Sequence, residues 1–424
     1  MRILHTSDWH LGRPLADADR TEDYRRFLDW LLGLMAAESV NVLVLAGDVF
    51  DTAMPPVSAQ RLYFDFLRRA SELPEFWGTI VAAGNHDSLP MLQATGGVLG
   101  FVRATVSGAT AEEEAVLVRD REGRVRLGVA AVPYLREGDV RMSGFYDDET
   151  DRARRWGEGV ARHYREAAEL LDARLRAAGA AEAPRIATAH LFVTGSRTSR
   201  VDDGRSVPAV FAGALRNVSA EVFGSCWDYI ALGHIHHAQS VSGPSLMRYP
   251  GSPLMLSFDD LDRRHEVILA DFPNGRGVPK IRSVDVPQPR WIGRIRTSAD
   301  GLEAAFAEAR RAAERSAERF GAEALEPIAS LECERASEAG EAFLIRVRAM
   351  AARYGLRLGP VRRIRGQRED ADDALEDDLR SITPEEVFEQ VLEEAGLSSE
   401  KGEIMRALFK EARQEAEMEA SSGK

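Results

Sequence analysis

Five short segments of this 424-residue sequence carry side chains able to bind metal ions and move protons. They are Asp8-Trp9-His10, Asp48 in GDVFD, Asn85-His86-Asp87 in GNHD, His190, and His234-Ile235-His236. Each follows an apolar run that reads as a β-strand, and in open α/β sheets such strand ends converge on one edge, where ligands bind. The set delivers carboxylate, imidazole and amide donors without a thiolate. Such donors suit manganese, magnesium, iron or zinc, and the mixed set favours manganese or iron. Two cations about 3.5–4 Å apart require a shared carboxylate. Asp48, on the central strand, is the expected bridge. Asp8, His10 and one of His234 and His236 would complete one site; Asn85, His190 and the other histidine would complete the second. The chemistry expected of such a centre is in-line attack on phosphorus by an activated water. His86, beside Asn85, is expected to protonate the leaving oxygen, with Asp87 orienting its ring.

Taken singly, each motif is weak. A buried histidine bonded to a backbone carbonyl explains an isolated DxH or HxH equally well, and Asn85 alone reads as a turn residue. Five motifs in order, each at a strand end, are hard to obtain without a shared purpose. His5 lies within its strand and reads as structural, His163 and His265 as surface or packing residues. His237 would point away from His236 on an extended segment and stays outside the centre.

The positioning elements can be read from periodicity. Ile3-Leu4, Asn41 to Ala46 and Thr79 to Ala83 are short buried strands, and Phe27, Trp30, Leu31, Leu34 and Met35 recur at helical spacing between the first two. Val57 to Ala70 is a second helix, and a long charged helix, Asp151 to Ala178, precedes strands at Arg185 to Ala189 and Asp228 to Leu232. This alternation implies βαβ units and sheets covered by helices. The fold class is therefore α/β, an α+β sandwich: a β-sandwich flanked by helices over residues 1–286. Near Pro287–Pro289 the pattern changes, and residues 287–366 form a small α+β unit of strand, helix, strand, helix, strand. Residues 367–382 read as an acidic linker. Thr383-Pro384-Glu385-Glu386 then opens a C-terminal helix pair over 383–424.

Charge is unevenly spread. From Gln367 to Lys424 there are 18 acidic and 7 basic residues, a net of −11 out of −13 for the chain. Just before that tail, Glu341 to Gly366 carries seven arginines, 346, 348, 353, 357, 362, 363 and 365, against one acid. Such asymmetry suggests separate surfaces for separate partners. Cys226 and Cys333 are the only cysteines. That fits a reducing cytoplasm and excludes a disulfide scaffold. No stretch of about 18 uncharged apolar residues occurs, so no membrane span is expected. Nor does MRILHTSDWH read as a secretory leader. A GxxxxGK[ST] motif is absent, so any ATP dependence must come from a partner.

In order, Asp8-Trp-His10, Gly47-Asp48, Gly84-Asn85-His86-Asp87, His190 and Gly233-His234-Ile235-His236 resemble the calcineurin-like metallophosphoesterase superfamily. Within it the sequence is similar to the SbcD family, through MRILHTSDWHLG, AGDVFDTAMPP, AGNHDS, DYIALGHIH and RYPGSPLMLSF. The likeness continues through VRRIRGQRE into ITPEEVFEQVL. It implies a manganese-dependent nuclease, exonucleolytic on duplex DNA and endonucleolytic on single strands and hairpins, acting in DNA repair, recombination and replication. One metal would be held by Asp8, His10, Asp48 and His236, the other by Asp48, Asn85, His190 and His234, with His86 catalytic. The 287–366 segment would cap the site and contact DNA, Arg362, Arg363 and Arg365 among its arginines. The C-terminal helices would dock on the coiled-coil base of an SbcC-type ATPase. A homodimer through the helices flanking GNHD is implied as well, consistent with a surplus of apolar residues at Val57, Leu62, Phe66, Leu67, Leu89, Met91, Leu92, Leu99, Phe101 and Val102. Asp51 stands where archaeal and eukaryotic relatives carry a second active-site histidine, and is expected to lie behind the metal ligands.

Two other readings compete. A phosphatase or small-nucleotide phosphodiesterase could use the same metal core. Protein phosphatases of the superfamily place arginines after GDxxD and before GNH, where this sequence has Thr52 and Ala83. A non-catalytic scaffold could keep the fold, although such proteins usually lose ligands that are all retained here.

Overall fold

The structure is a computed structural model that describes residues 1–93, 99–108, 110–140, 149–194, 196, 217–320, 325–334 and 340–364. Residues 1–364 form one compact unit. The linker and C-terminal helix pair expected over 367–424, and Arg365, lie outside the described residues.

Two six-stranded sheets face each other. The first runs in the order Lys280–Asp285, Glu266–Asp271, Arg2–Thr6, Val42–Ala46, Gly78–Ala82, Ala104–Val106. The second runs Gln239–Val241, Met247–Tyr249, Tyr229–Gly233, Arg185–His190, Val125–Ala130, Ala115–Arg119. Their central strands are parallel, Arg2–Thr6 with Val42–Ala46 and then Gly78–Ala82, and Arg185–His190 with Tyr229–Gly233.

Alternation along these strands builds the layers. Val42, Val44 and Ala46 pack inward against Val129, Ile186 and Ala231 of the opposite sheet. Leu43 and Leu45 turn outward, under the helices Thr21–Ala37 and Val57–Ser71, where they meet Phe27, Leu31, Phe66 and Leu67. On the far side, Ala187, Ala189, Ile230 and Leu232 pack beneath the helix Glu149–Ala177 through Val160, Tyr164, Leu171 and Leu175. The molecule is thus the expected β-sandwich flanked by helices. His5 lies between the sheets as a structural residue, its ring within 2.8 Å of the Tyr229 hydroxyl and 3.1 Å of the Leu232 carbonyl.

Residues 292–364 add a parallel sheet, Ile292–Ser298, Ile328–Glu334 and Arg357–Ile364, with the helices Leu302–Phe320 and Gly340–Arg353. It has its own core around Phe306, Leu331, Phe343 and Val347. Leu15 and Ala18, from the loop after His10, pack against Ile292 and Ile328 of this subdomain.

The apolar surplus expected beside GNHD is smaller than the sequence suggests. Phe66, Leu67, Leu92 and Leu99 are buried in the core that covers the outer face of the first sheet. Met54, Val57 and Phe101 remain 90%, 61% and 87% exposed.

Candidate two-metal centre

Asp8, His10, Asp48, Asn85, His86, His234 and His236 stand in the turns just beyond four central parallel strands, while His190 is the last residue of its strand. The backbone is tightly bent here. Asp8, His10, Asp48 and His234 have φ of 53°, 46°, 50° and 92°. Left-handed non-glycine residues persist only where surrounding contacts fix them, and they cluster at functional sites. The Asp8 amide donates to the Gly47 carbonyl and the His10 amide to the Asp48 carbonyl, each at 3.0 Å, stitching the first two turns together. Gly84 allows the GNHD turn to approach, because a Cβ there would lie 2.1 Å from Asp48 Oδ1.

The side chains form two groups. Ligand atoms of Asp8, His10 and His236 all lie within 4.8 Å of one another, as do those of Asp48, His190 and His234, and a third set, His10, Asp48 and His86, joins the two. In the first group His10 Nε2 is 3.1 Å from His236 Nε2, which in turn is 3.9 Å from Asp8 Oδ1. In the second, Asn85 Oδ1 is 3.1 Å from His190 Nε2 and 2.8 Å from His234 Nδ1. Asp48 Oδ2 sits between them, 3.2 Å from His190 Nε2 and 3.6 Å from His10 Nε2. Of the two histidines left open by the HxH spacing, His236 therefore joins Asp8 and His10, and His234 joins Asn85 and His190.

This donor set fits two divalent cations. His190 offers Nε2 inward while its Nδ1 is 2.9 Å from the Ala46 carbonyl, the outer contact that fixes a ligating imidazole. Burial alone would raise Asp48, but His190, His10 and His86 prevail and hold it well below the usual carboxylate range. Burial and the nearby Asp48 charge push Asp8 up to about 6. Burial opposes a charge on His190, yet Asp48 and Asp8 raise it to about 9. The centre thus attracts positive charge strongly. Cations entering it would displace those protons, so binding would strengthen as pH rises.

A family model described as calcineurin-like phosphoesterase matches residues 1–167. SbcD of Escherichia coli (strain K12), a component of the nuclease SbcCD, is 35% identical over 288 residues, 68% of each chain. That of Rhodobacter capsulatus is 32% identical over 309 residues, 71% of this chain and 72% of the relative. The Bacillus subtilis protein is 31% identical over 282 residues, 65% and 67%. The chain belongs to the SbcD family. It is an enzyme, a phosphodiesterase of the nuclease class.

In this SbcD-family chain His86 lies beside the first group, its ring 4.8 Å from that of His10. Asp87 does not orient it. Both Asp87 oxygens are taken by backbone amides, those of Val49, Phe50 and Gly84 at 2.9–3.1 Å, so Asp87 clamps the GDVFD and GNHD turns to each other. The His86 ring is held by the Asp51 carbonyl, 2.8 Å from Nδ1. Asp51 does lie behind a metal-binding candidate, with Oδ1 3.3 Å from His10 Nδ1. His163 and His265 are the packing residues expected, against Glu114 and the Ser252 carbonyl.

Three neighbours of the centre escape sequence reasoning. Arg13 donates to Asp51 at 3.0 Å, and the rings of Tyr134 and Phe192 flank His234 at 6.1 and 4.2 Å. Arginine and aromatic residues carry no metal-ligand spacing, so only proximity reveals them. The arginine strip also divides between elements. Arg346, Arg348 and Arg353 are on the helix Gly340–Arg353, whereas Arg357, Arg362 and Arg363 are on the strand Arg357–Ile364. Arg353 and Arg357 are paired with Glu303 and Glu326. Arg362 is exposed.

Proposed function

We propose that this chain is a manganese-dependent DNA nuclease, an exonuclease on duplex ends and an endonuclease on single strands and hairpins. The observation that carries the reading is Asp48 Oδ2, within 3.6 Å of His10 Nε2 and 3.2 Å of His190 Nε2, one carboxylate serving two donor groups. Asp8, His10, Asp48 and His236 would hold one cation; Asp48, Asn85, His190 and His234 the other. Bound there, the cations would supply Lewis acidity and activate a water for in-line attack. His86, its ring fixed through Nδ1, would give its Nε2 proton to the leaving oxygen.

The 287–366 segment serves as a cap over the DNA, with Arg362, Arg363 and Arg365 on backbone phosphates. The 383–424 helices dock on an SbcC-type ATPase, across the 367–382 linker. The relatives are each named as one component of a larger nuclease, SbcCD, which supports a partner of that kind. We place the complex in the cytoplasm, in DNA repair, recombination and replication. Among the described residues no helix is long and apolar enough to cross a membrane. A homodimer rests on the resemblance and on exposed Met54, Val57 and Phe101.

The deciding experiment offers the chain a DNA duplex, a hairpin, a phosphopeptide and a cyclic nucleotide, in manganese, magnesium or zinc, with and without the ATPase. Cleavage of DNA, strongest in manganese, is expected. Turnover of the phosphopeptide or cyclic nucleotide without DNA cleavage would instead establish a phosphatase or small-nucleotide enzyme.

A further inference from the structure

We propose that Arg13 is a phosphate-binding residue of this centre, its guanidinium gripping an anionic oxygen of the substrate's phosphodiester. The proposal rests on the two-metal phosphodiesterase reading and adds a substrate contact to it. At Thr52 and Ala83, beside the metals, the sequence supplies no cation for the phosphate. The structure supplies one from another segment.

A tight reversal after His10 brings it there. The Arg13 amide donates to the His10 carbonyl at 3.0 Å, and Gly12 adopts φ of 94°. A Cβ at Gly12 would meet Pro56 at 3.0 Å, so the turn stays close to the segment that follows Asp51. Arg13 Nη1 then donates to Asp51 Oδ1 at 3.0 Å. That same oxygen lies 3.3 Å from His10 Nδ1, and the Asp51 carbonyl holds the His86 ring. Through one residue, Arg13 is tied to a metal-binding candidate and to the proton donor. Asp51 thus places Arg13 at the border of the first donor group, next to the residue that His10 and His86 share. Its Nε and Nη2 make no hydrogen bond among the described residues.

A guanidinium is a planar fork of five N–H donors, and a carboxylate on one corner leaves others for phosphate oxygens. Asp51 holds the side chain in place beforehand, so less rotamer freedom is lost on binding. If Arg13 were only a counter-ion for Asp51, its removal would disturb the turn and leave phosphate affinity alone.

The test uses manganese-loaded full chain and the variants Arg13→Ala, Arg13→Gln and Arg13→Lys, with metal content checked by elemental analysis. Calorimetric titration with inorganic phosphate is the first readout. Cleavage of a single-stranded oligonucleotide at several salt concentrations is the second. With both metals retained, Arg13→Ala is expected to weaken phosphate binding roughly tenfold or more, the scale of a lost hydrogen bond to a charged group. KM for the oligonucleotide should rise by a similar factor with kcat little changed, and the salt slope should fall by about 0.7. Lysine should recover the slope and part of the affinity, because it keeps the charge without the fork. Arg13→Gln, which can still hydrogen-bond Asp51, should behave like Arg13→Ala, and it decides the matter if alanine disrupts the fold. Unchanged phosphate affinity, KM and salt slope in a metal-replete Gln or Ala variant would overturn the proposal. A wild type that binds phosphate through Arg13 yet cuts no DNA would overturn the nuclease reading and uphold this one.

Discussion

The guanidinium of Arg290 holds the carboxylate of Asp23 along one edge, with Nε 3.0 Å from both oxygens and Nη2 2.8 Å from Oδ2. Both residues are buried, and Arg20 approaches the same carboxylate at 3.2 Å. Arg290 also donates to the carbonyls of Glu326 and Asp19, so one side chain ties the start of the small subdomain to the helix Thr21–Ala37. Breaking a buried pair leaves a charge without compensation and costs about 3–5 kcal/mol. Because Arg20 still partners Asp23, Arg290→Met should cost less than that in denaturant unfolding, about 1.5–3 kcal/mol, the scale of hydrogen bonds to a charged group. A loss below about 1 kcal/mol, the range of exposed pairs, would mean that water screens this contact.

The shared position of Asp48 makes metal content a direct test of the centre. Asp48→Ala should remove both ions, since neither donor group keeps its carboxylate bridge. His86→Ala should retain both while kcat falls by roughly 10²–10⁴, the usual range for a lost general acid. Elemental analysis of the two purified variants checks this. Two metals per chain in Asp48→Ala would refute the bridge.

His5 should make the fold sensitive to acid. Burial between the sheets lowers its pKa from 6.5 to about 3. Below pH 6.5 the unfolded chain takes up a proton that the folded chain refuses, so stability falls with pH until about 3. His5→Gln lacks that proton site. Between pH 7 and pH 5 it should lose less stability than the wild type, by about 2 kcal/mol. Paired urea titrations at the two pH values measure the difference, and equal losses would show that His5 titrates normally in the folded state.

The two charged ends of the chain should serve different partners. Truncation after Arg380 should preserve metal-dependent cleavage of a short single strand and abolish pull-down of the ATPase. Replacing Arg362, Arg363 and Arg365 with Ala should leave the pull-down intact while lowering DNA affinity and its salt slope. Full-strength pull-down by the truncated chain would contradict the division.

Dimerisation is best tested at Phe101, since the alternative position Leu99 is buried and its substitution would disturb the core. Light scattering at micromolar concentration should show a dimer for the wild type and a monomer for Phe101→Glu. A wild-type monomer would remove the proposal.

The sequence by itself determined which residues could form the centre and the order of elements that carries them. Strand alternation such as that of Val42 to Ala46, and the breaks that follow at Gly47, Gly84 and Gly233, are local properties. They mark strand ends without reference to the rest of the chain. Which donors meet was decided by tertiary structure. His10 and His236 are 226 positions apart, and their contact depends on how two separate sheets are set against each other. No local spacing could assign His236 rather than His234 to Asp8. For the same reason Asp87, adjacent to His86 in sequence, turns to the amides of Val49, Phe50 and Gly84, because buried backbone donors compete for its oxygens. Leu99 resembles surface from its sequence neighbours, yet it is buried in the core beside Leu43, Leu45 and Phe66. Arg13 meets Asp51 through a reversal that only the packing of Gly12 on Pro56 makes visible.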